Sequence, residues 1–180
     1  MWLTHPDDWQ EVLNEAGIEP GMIVAEVYPS RSGVMMHAVA RRVGQQGGVH
    51  VVDPRFEVTS WLEGLRRSRG LPQVTIHHAD PEMHVPKMPE ASVDRVVIMN
   101  GLWLVQNVEN YVREVRRWVK PRGEIIVVEW QPTAQSAYAP PAELRVAESD
   151  ACAAFHQAEC YACGRVRTPD SHWGWRFVKD

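Results

Sequence analysis

The chain lacks any long apolar run: none of its 180 residues lies in a stretch approaching the ~18 consecutive apolar residues of a membrane-spanning helix. Its start, MWLTHPDDW, lacks the apolar segment of a secretory signal peptide. A net charge of −4 provides no overall attraction to nucleic acid or to an anionic membrane. We therefore expect a cytoplasmic protein with neither nucleic acid nor membrane as a partner.

Cysteine is also scarce. Cys152, Cys160 and Cys163 are too few and too clustered to form a disulfide framework. The CxxC spacing of the last two is compatible with a metal site to which His156 adds a third ligand. A single CxxC is weak evidence, and Cys163 falls in a predicted buried strand, so buried free thiols are the favoured alternative.

Three histidines lie close together in the sequence, near the end of a predicted strand. They are His77, His78 and His84, and Asp80 lies between them. Adjacent strand residues point to opposite faces of a sheet, so His77 and His78 are poorly placed to bind one ion. We predict no metal site here.

The chain does contain a regular alternation of apolar strands and helices. Strands are predicted at 22–27, 48–53, 73–78, 92–99 and 124–130, and helices at 9–16, 34–43, 54–69 and 108–119. The strands are nearly continuous runs of Val and Ile, which is typical of a parallel sheet covered on both faces. We expect one α/β domain over 1–180, with an N-terminal helix and lead-in over 1–21.

The carboxyl-terminal part follows a different pattern. A loop over 131–141 leads to a helix at 148–158 and to strands at 161–167 and 172–178. The connection TPDS between these strands is too short for a parallel crossover. The sheet should therefore end in an antiparallel hairpin.

The segment MIVAEVYPSRSG over 22–33 combines a strand, a short polar turn and the start of a helix. This arrangement opens a Rossmann-like βαβ unit, in which glycines let the backbone approach a nucleotide. Only Gly33 remains of the glycines that such a turn normally carries.

These features resemble the class I S-adenosylmethionine-dependent methyltransferases, especially small bacterial and archaeal members that methylate small molecules. The resemblance spans nearly the whole chain and is carried by GIEPGMIVAEV, VHVVDP, ASVDRVVIMN and VREVRRWVKPRGEIIVVEW. It implies a Rossmann-like doubly wound sandwich with seven strands in the order 3-2-1-4-5-7-6, the last antiparallel. It also implies S-adenosylmethionine as cofactor, across the carboxyl ends of the first strands.

The resemblance further implies roles for individual residues. Glu26 would hold the methionyl ammonium group of the cofactor, Asp53 the ribose hydroxyls, and Asp80 would lie near the adenine amino group. The expected cofactor-binding residues are Glu26, Tyr28, Ser30, Ser32, Gly33, Asp53, Pro54, Asp80 and Asn100, and the expected substrate-facing residues are Gly101 and Trp103. The segment after the fourth strand, LWLV, contains no acid or base, so no catalytic residue is identified.

Tyr28, Ser30 and Ser32 stand where the family places glycines. A non-glycine residue in the left-handed region costs about 1–2 kcal/mol, and the Tyr28 ring would take up cofactor volume. Two functions therefore remain open: methyl transfer to an unidentified small molecule, and an inactive relative that acts as a binding or assembly module. A dinucleotide-binding oxidoreductase is disfavoured by the fifth-strand block and the terminal hairpin, and a homodimer is left open.

Overall fold

A seven-stranded sheet forms the centre of the computed structural model, which describes residues 6–85 and 87–180, with side chains from residue 11 onward. Its strands are β1 (Ile23–Val27), β2 (Gly48–Asp53), β3 (Val74–His78), β4 (Val93–Met99), β5 (Val119–Trp130), β6 (Cys160–Arg165) and β7 (His172–Lys179). The helices are α1 (Pro6–Glu15), α2 (Val34–Val43), α3 (Phe56–Ser68), α4 (Val108–Trp118) and α5 (Glu148–Gln157). Within the described ranges, no helix is both long enough and apolar enough to cross a membrane.

The strand order is 3-2-1-4-5-7-6, which confirms the order implied by the resemblance. Strands β1 to β5 pair in parallel, whereas β7 runs antiparallel to both of its neighbours, β5 and β6. The terminal hairpin is therefore also confirmed. Because the first five strands are parallel, their carboxyl ends meet at one edge of the sheet.

Both faces of the sheet are buried. Val24 on β1 belongs to a core shared with α1, α2 and α3, and its neighbour Ala25 to a second core shared with α4 and α5. Successive strand residues point to opposite faces, so an unbroken apolar strand such as β1 can fill both cores. This explains why the strands lack the polar alternation of a one-sided sheet.

Strand β5 begins earlier than expected. The sequence predicts a helix that ends at 119 and a strand that begins at 124, but α4 ends at Trp118 and β5 starts at Val119. Val119 pairs with Val93, and the Lys120 ammonium lies 2.7 Å from the Asp94 carboxylate. These long-range contacts hold the segment in the sheet despite its Pro and Gly. The other predicted elements are present, with ends shifted by at most three residues.

Gly33 joins the β1–α2 turn to α2 and has a φ of 60°. A β-carbon at this position would lie 2.6 Å from Leu65 Cδ2 and 3.0 Å from Leu62 Cδ2, both on α3. Gly33 therefore permits both the left-handed turn and the close contact between α2 and α3.

We expect Gly33→Ala to lower the free energy of unfolding by about 2–3 kcal/mol, because it combines backbone strain with overlap against α3. Gly70→Ala is the matched control, since Gly70 has the same φ of 60° but no atom near its added β-carbon. The control should lose only about 1 kcal/mol. Urea unfolding of both variants measures the difference, and equal losses would contradict the packing role of Gly33.

Candidate functional site

A cavity of about 350 Å³ opens at the carboxyl ends of β1 and β4. Six of the predicted site residues line it: Glu26, Tyr28, Ser30, Ser32, Asn100 and Trp103. The other five, Gly33, Asp53, Pro54, Asp80 and Gly101, are not part of its wall. The β1–α2 turn and the segment after β4 thus line one cavity.

Glu26 is the penultimate residue of β1 and is only 3% exposed. Its Oε2 atom is buried without a hydrogen-bond partner. Burial, together with the nearby charge of Asp53, raises the pKa of Glu26 to about 8. The carboxyl group therefore holds a proton at neutral pH, and a cationic hydrogen-bond donor in the cavity would favour its ionised form.

Asn100 follows β4 with a φ of 53°, a left-handed conformation that asparagine tolerates well. Its backbone is held on both sides: its N–H donates to the Val128 carbonyl at 2.8 Å, and its carbonyl accepts from Trp103 Nε1 at 2.9 Å. Its side-chain Oδ1 is buried and has no partner. Asn100 and Glu26 thus both line the cavity, and each carries a buried side-chain oxygen without a partner.

Tyr28 adopts the left-handed conformation expected of a glycine, with a φ of 52°. Its N–H donates to the Val52 carbonyl at 3.0 Å. The residue is 5% exposed, and its ring stacks on the buried Tyr111 ring with 6.0 Å between the centroids. Neither Ser30 nor Ser32 has a positive φ, and their hydroxyl oxygens lie 2.6 Å apart. The turn therefore requires only one strained non-glycine residue, and its ring belongs largely to the core.

Glu129, at the end of β5, supports the segment after β4 and was not predicted as a functional residue. Its Oε1 accepts hydrogen bonds from the Gly101 N–H at 2.5 Å and the Leu102 N–H at 2.7 Å. Burial raises the pKa of Glu129 to about 8, although these amide hydrogen bonds act in the opposite direction. The available signal was an acid near the end of the apolar strand EIIVVEW.

Asp53 lies at the end of β2 and is completely buried. Its Oδ1 accepts from the backbone N–H of Arg55 at 2.7 Å and from Arg55 Nε at 2.9 Å, and its Oδ2 accepts from Arg55 Nη2 at 2.5 Å. The same hydrogen bonding raises the pKa of Arg55. Arg55, which the sequence reasoning missed, faces the cavity in place of the predicted acid.

Asp80 is half-buried and accepts a hydrogen bond from the Glu82 N–H at 2.9 Å. Glu82 in turn accepts from the N–H groups of Gln106 and Asn107, just before α4. These contacts order the loop that follows β3. In this structure Asp80 therefore serves as a turn residue beside the site.

The clustered histidines have separate partners. His77 is buried against His50, with 2.9 Å between ring nitrogens, and burial lowers its pKa to about 4. His78 lies 2.9 Å from the Pro54 carbonyl, and His84 is exposed, 3.8 Å from Glu114. Among the described residues, no three His, Cys, Asp or Glu side chains are arranged to hold a metal ion.

The cysteines are all free thiols, but only Cys160 is fully buried. Burial raises the pKa of the Cys160 thiol to about 11. The expectation that Cys163 is buried was wrong, since it is exposed on β6. The reason is that β6 is an edge strand whose register shifts between Ala162 and Gly164.

Comparison with known proteins identifies the family. A family model described as a methyltransferase domain matches residues 30–127, which is more than half of the chain. The chain belongs to this methyltransferase family. The match begins at Ser30, within the β1–α2 turn, and includes the segment after β4. It confirms the resemblance to class I S-adenosylmethionine-dependent methyltransferases.

One curated relative is the ubiquinone/menaquinone biosynthesis C-methyltransferase UbiE of Hydrogenovibrio crunogenus, 28% identical over 145 residues. The match covers 77% of this chain but 53% of the relative, so the chain spans about half the length of that methyltransferase.

Solved structures of the same fold include an S-adenosylmethionine-dependent methyltransferase from Aquifex aeolicus, with a TM-score of 0.88 and 20% identity over 96% of this chain and 90% of that one. Geranyl diphosphate C-methyltransferase from Streptomyces coelicolor has a TM-score of 0.74 and 12% identity over 97% and 79% of the two chains. The [4+2]-cyclase SpnF matches with a TM-score of 0.75 and 18% identity over 92% and 65%. At these identities the structural matches establish the fold alone.

The buried carboxyl groups should make stability fall as the pH rises. Glu26 and Glu129 have pKa values near 8 in the folded protein and near 4.5 when unfolded, so the folded state binds more protons than the unfolded state between about pH 4.5 and pH 8. We expect the melting temperature to fall between about pH 6.5 and pH 8. The buried histidines, whose pKa values are lowered, change stability only below about pH 6.5.

Glu26→Gln removes one of the two titrating groups, so this fall should become shallower. Thermal unfolding followed by circular dichroism across this pH range measures the effect, with the exposed Glu143→Gln as control. A Glu26→Gln profile parallel to that of the wild type would contradict the raised pKa.

Proposed function

We propose that this protein transfers the methyl group of S-adenosylmethionine to a small-molecule acceptor. The observation that carries the proposal is the pair of buried, unpartnered acceptor oxygens, Glu26 Oε2 and Asn100 Oδ1, on residues that line one cavity. Buried acceptors without partners are costly, and an ammonium group can donate to both. S-adenosylmethionine carries such a group, and family membership supports it as the ligand.

The chain's own residues would act mainly by positioning. Glu26 would release its proton and bind the ligand ammonium, while Asn100, held by Trp103, would supply the second acceptor. Glu129 would keep the adjoining backbone in place. When bound, S-adenosylmethionine supplies a methyl group on a sulfonium sulfur. Holding donor and acceptor in line can contribute roughly 7–11 kcal/mol to such a displacement, so the proposal requires no dedicated catalytic base.

The cavity wall also indicates the kind of acceptor. Met35, Met99, Trp103 and Leu104 contribute apolar side chains beside the polar groups. Such a surface favours a small acceptor with an apolar or aromatic body. The relative from Hydrogenovibrio crunogenus, named for ubiquinone and menaquinone biosynthesis, supports an aromatic acceptor.

Calorimetric titration with S-adenosylhomocysteine tests the proposed ligand site. At neutral pH we expect binding by the wild type to release close to one proton, because Glu26 must ionise to pair with the ammonium. Titrations in phosphate and in Tris buffer separate this proton release from the binding heat. Glu26→Gln should bind about tenfold more weakly, without the release, and the exposed control Glu143→Gln should match the wild type.

Asn100→Gly removes the second acceptor oxygen and preserves the left-handed backbone, and it should also weaken binding severalfold. Formation of S-adenosylhomocysteine from S-adenosylmethionine with a panel of small phenols and quinols then tests methyl transfer. Binding without turnover of any acceptor would support the inactive relative. Failure of the wild type to bind S-adenosylmethionine or S-adenosylhomocysteine would contradict the proposal.

A further inference from the structure

Arg55 covers the carboxylate of Asp53 at the end of β2. Its side chain approaches side-on, with Nε 2.9 Å from Oδ1 and Nη2 2.5 Å from Oδ2, and its backbone N–H adds a third hydrogen bond at 2.7 Å. Asp53 has no exposed surface. Both of its oxygens are thus engaged by one residue, and no hydroxyl group in the cavity can reach them while Arg55 stays in place.

The guanidinium also faces the cavity. Arg55 belongs to the cavity wall, and its side chain is 39% exposed. Nη2 lies 3.5 Å from the Pro29 carbonyl, which belongs to the β1–α2 turn. Nη1 makes no hydrogen bond to any described residue. The side chain therefore spans from β2 to the turn and has room to move outward, whereas the buried Asp53 does not.

We propose that Arg55 is a latch: it must leave Asp53 before a ribose-bearing ligand can bind, and it thereby sets the affinity of the cavity for such ligands. This inference rests on the proposed function. A ribose diol offers hydrogen-bond donors, which suit a carboxylate, whereas a guanidinium offers only donors. Breaking the Arg55–Asp53 pair consumes part of the binding free energy, so the apparent affinity is lower than that of a cavity with Asp53 open.

The alternative is that Arg55 remains bound to Asp53 when the ligand binds. If Arg55 stayed on Asp53 and bound the ligand through Nη1, removing Arg55 would weaken binding. The latch requires the reverse, a gain in affinity that depends on Asp53. The two arrangements are therefore separated by the sign of one mutational effect.

The test is a double-mutant cycle of Arg55→Ala and Asp53→Asn, with S-adenosylhomocysteine and adenosine as calorimetric probes. We expect Arg55→Ala to bind both probes roughly tenfold more tightly than the wild type, since one charge-assisted pair no longer has to be broken. Adding Asp53→Asn should abolish the gain. Arg66→Ala is the matched control, because Arg66 pairs with Glu63 at 2.7 Å on α3 and does not line the cavity, and it should leave the affinity unchanged.

Removing Arg55 leaves a buried carboxylate without its partner, so the variant could fold poorly. Arg55→Lys keeps the charge but cannot bridge both oxygens, and it should show a smaller gain in affinity. In the wild type, the Nε–H resonance of Arg55 should shift on addition of S-adenosylhomocysteine as its bond to Asp53 breaks. An unchanged resonance in the bound protein would overturn the latch.

The remaining outcomes separate the latch from the proposed function. Wild-type binding of S-adenosylhomocysteine together with equal or weaker binding by Arg55→Ala and Arg55→Lys would overturn the latch alone. Absence of binding in every variant would overturn both, since a latch with no ligand to admit has no role. A gain in Arg55→Ala that persists with Asp53→Asn would also overturn it.

Discussion

The need to satisfy polar groups buried at the carboxyl edge of a parallel sheet organises this protein. Three carboxyl groups lie at or near the carboxyl ends of β1, β2 and β5, and each meets a different environment. Glu129 accepts backbone N–H groups, Asp53 accepts Arg55, and one oxygen of Glu26 has no partner. Of the three acids, Glu26 is the one with a buried oxygen that accepts no hydrogen bond, and the nearby Asn100 side chain has a second such oxygen. Because a buried acceptor without a partner is unfavourable, the strands themselves create a preference for a donor in the cavity.

Tyr28 shows how a glycine-poor turn can keep the geometry of a glycine-rich one. The left-handed backbone costs about 1–2 kcal/mol for a residue with a side chain. The ring is buried against Tyr111, and burial of an aromatic side chain contributes free energy of at least that size. The substitution that most favoured an inactive relative therefore has a structural explanation in the core. Ser30 and Ser32 require no such compensation, because they are not among the residues with positive φ.

The fold was largely predictable because strand and helix signals are local. Runs such as GVHVVD identify their strand without knowledge of its neighbours, and the connection TPDS is too short for anything but a hairpin. The start of β5 was missed because Val119 is held by pairing with Val93, a contact between distant segments. Cys163 was misplaced for a related reason, since only the strand order reveals which strand lies at the edge.

The difference between local sequence signals and contacts formed only on folding also applies to the site. Glu26 and Asn100 were predicted as site residues from the family resemblance, which places such residues near the end of the first strand and after the fourth. Both line the cavity. The roles of Arg55 and Glu129 could not be predicted from the sequence, because each role depends on which group lies beside the residue in the folded chain. Arg55 is only two residues from Asp53, yet a sequence does not specify whether such a side chain turns back onto the acid or extends into solvent.

We propose that the unpartnered oxygens of Glu26 and Asn100 form the binding site for a ligand ammonium group. A crystal structure of the protein with S-adenosylhomocysteine tests it most directly. The amino group of the ligand should lie within hydrogen-bond distance of Glu26 Oε2 and Asn100 Oδ1. A ligand bound elsewhere, or bound in the cavity with both oxygens still without a partner, would contradict the claim.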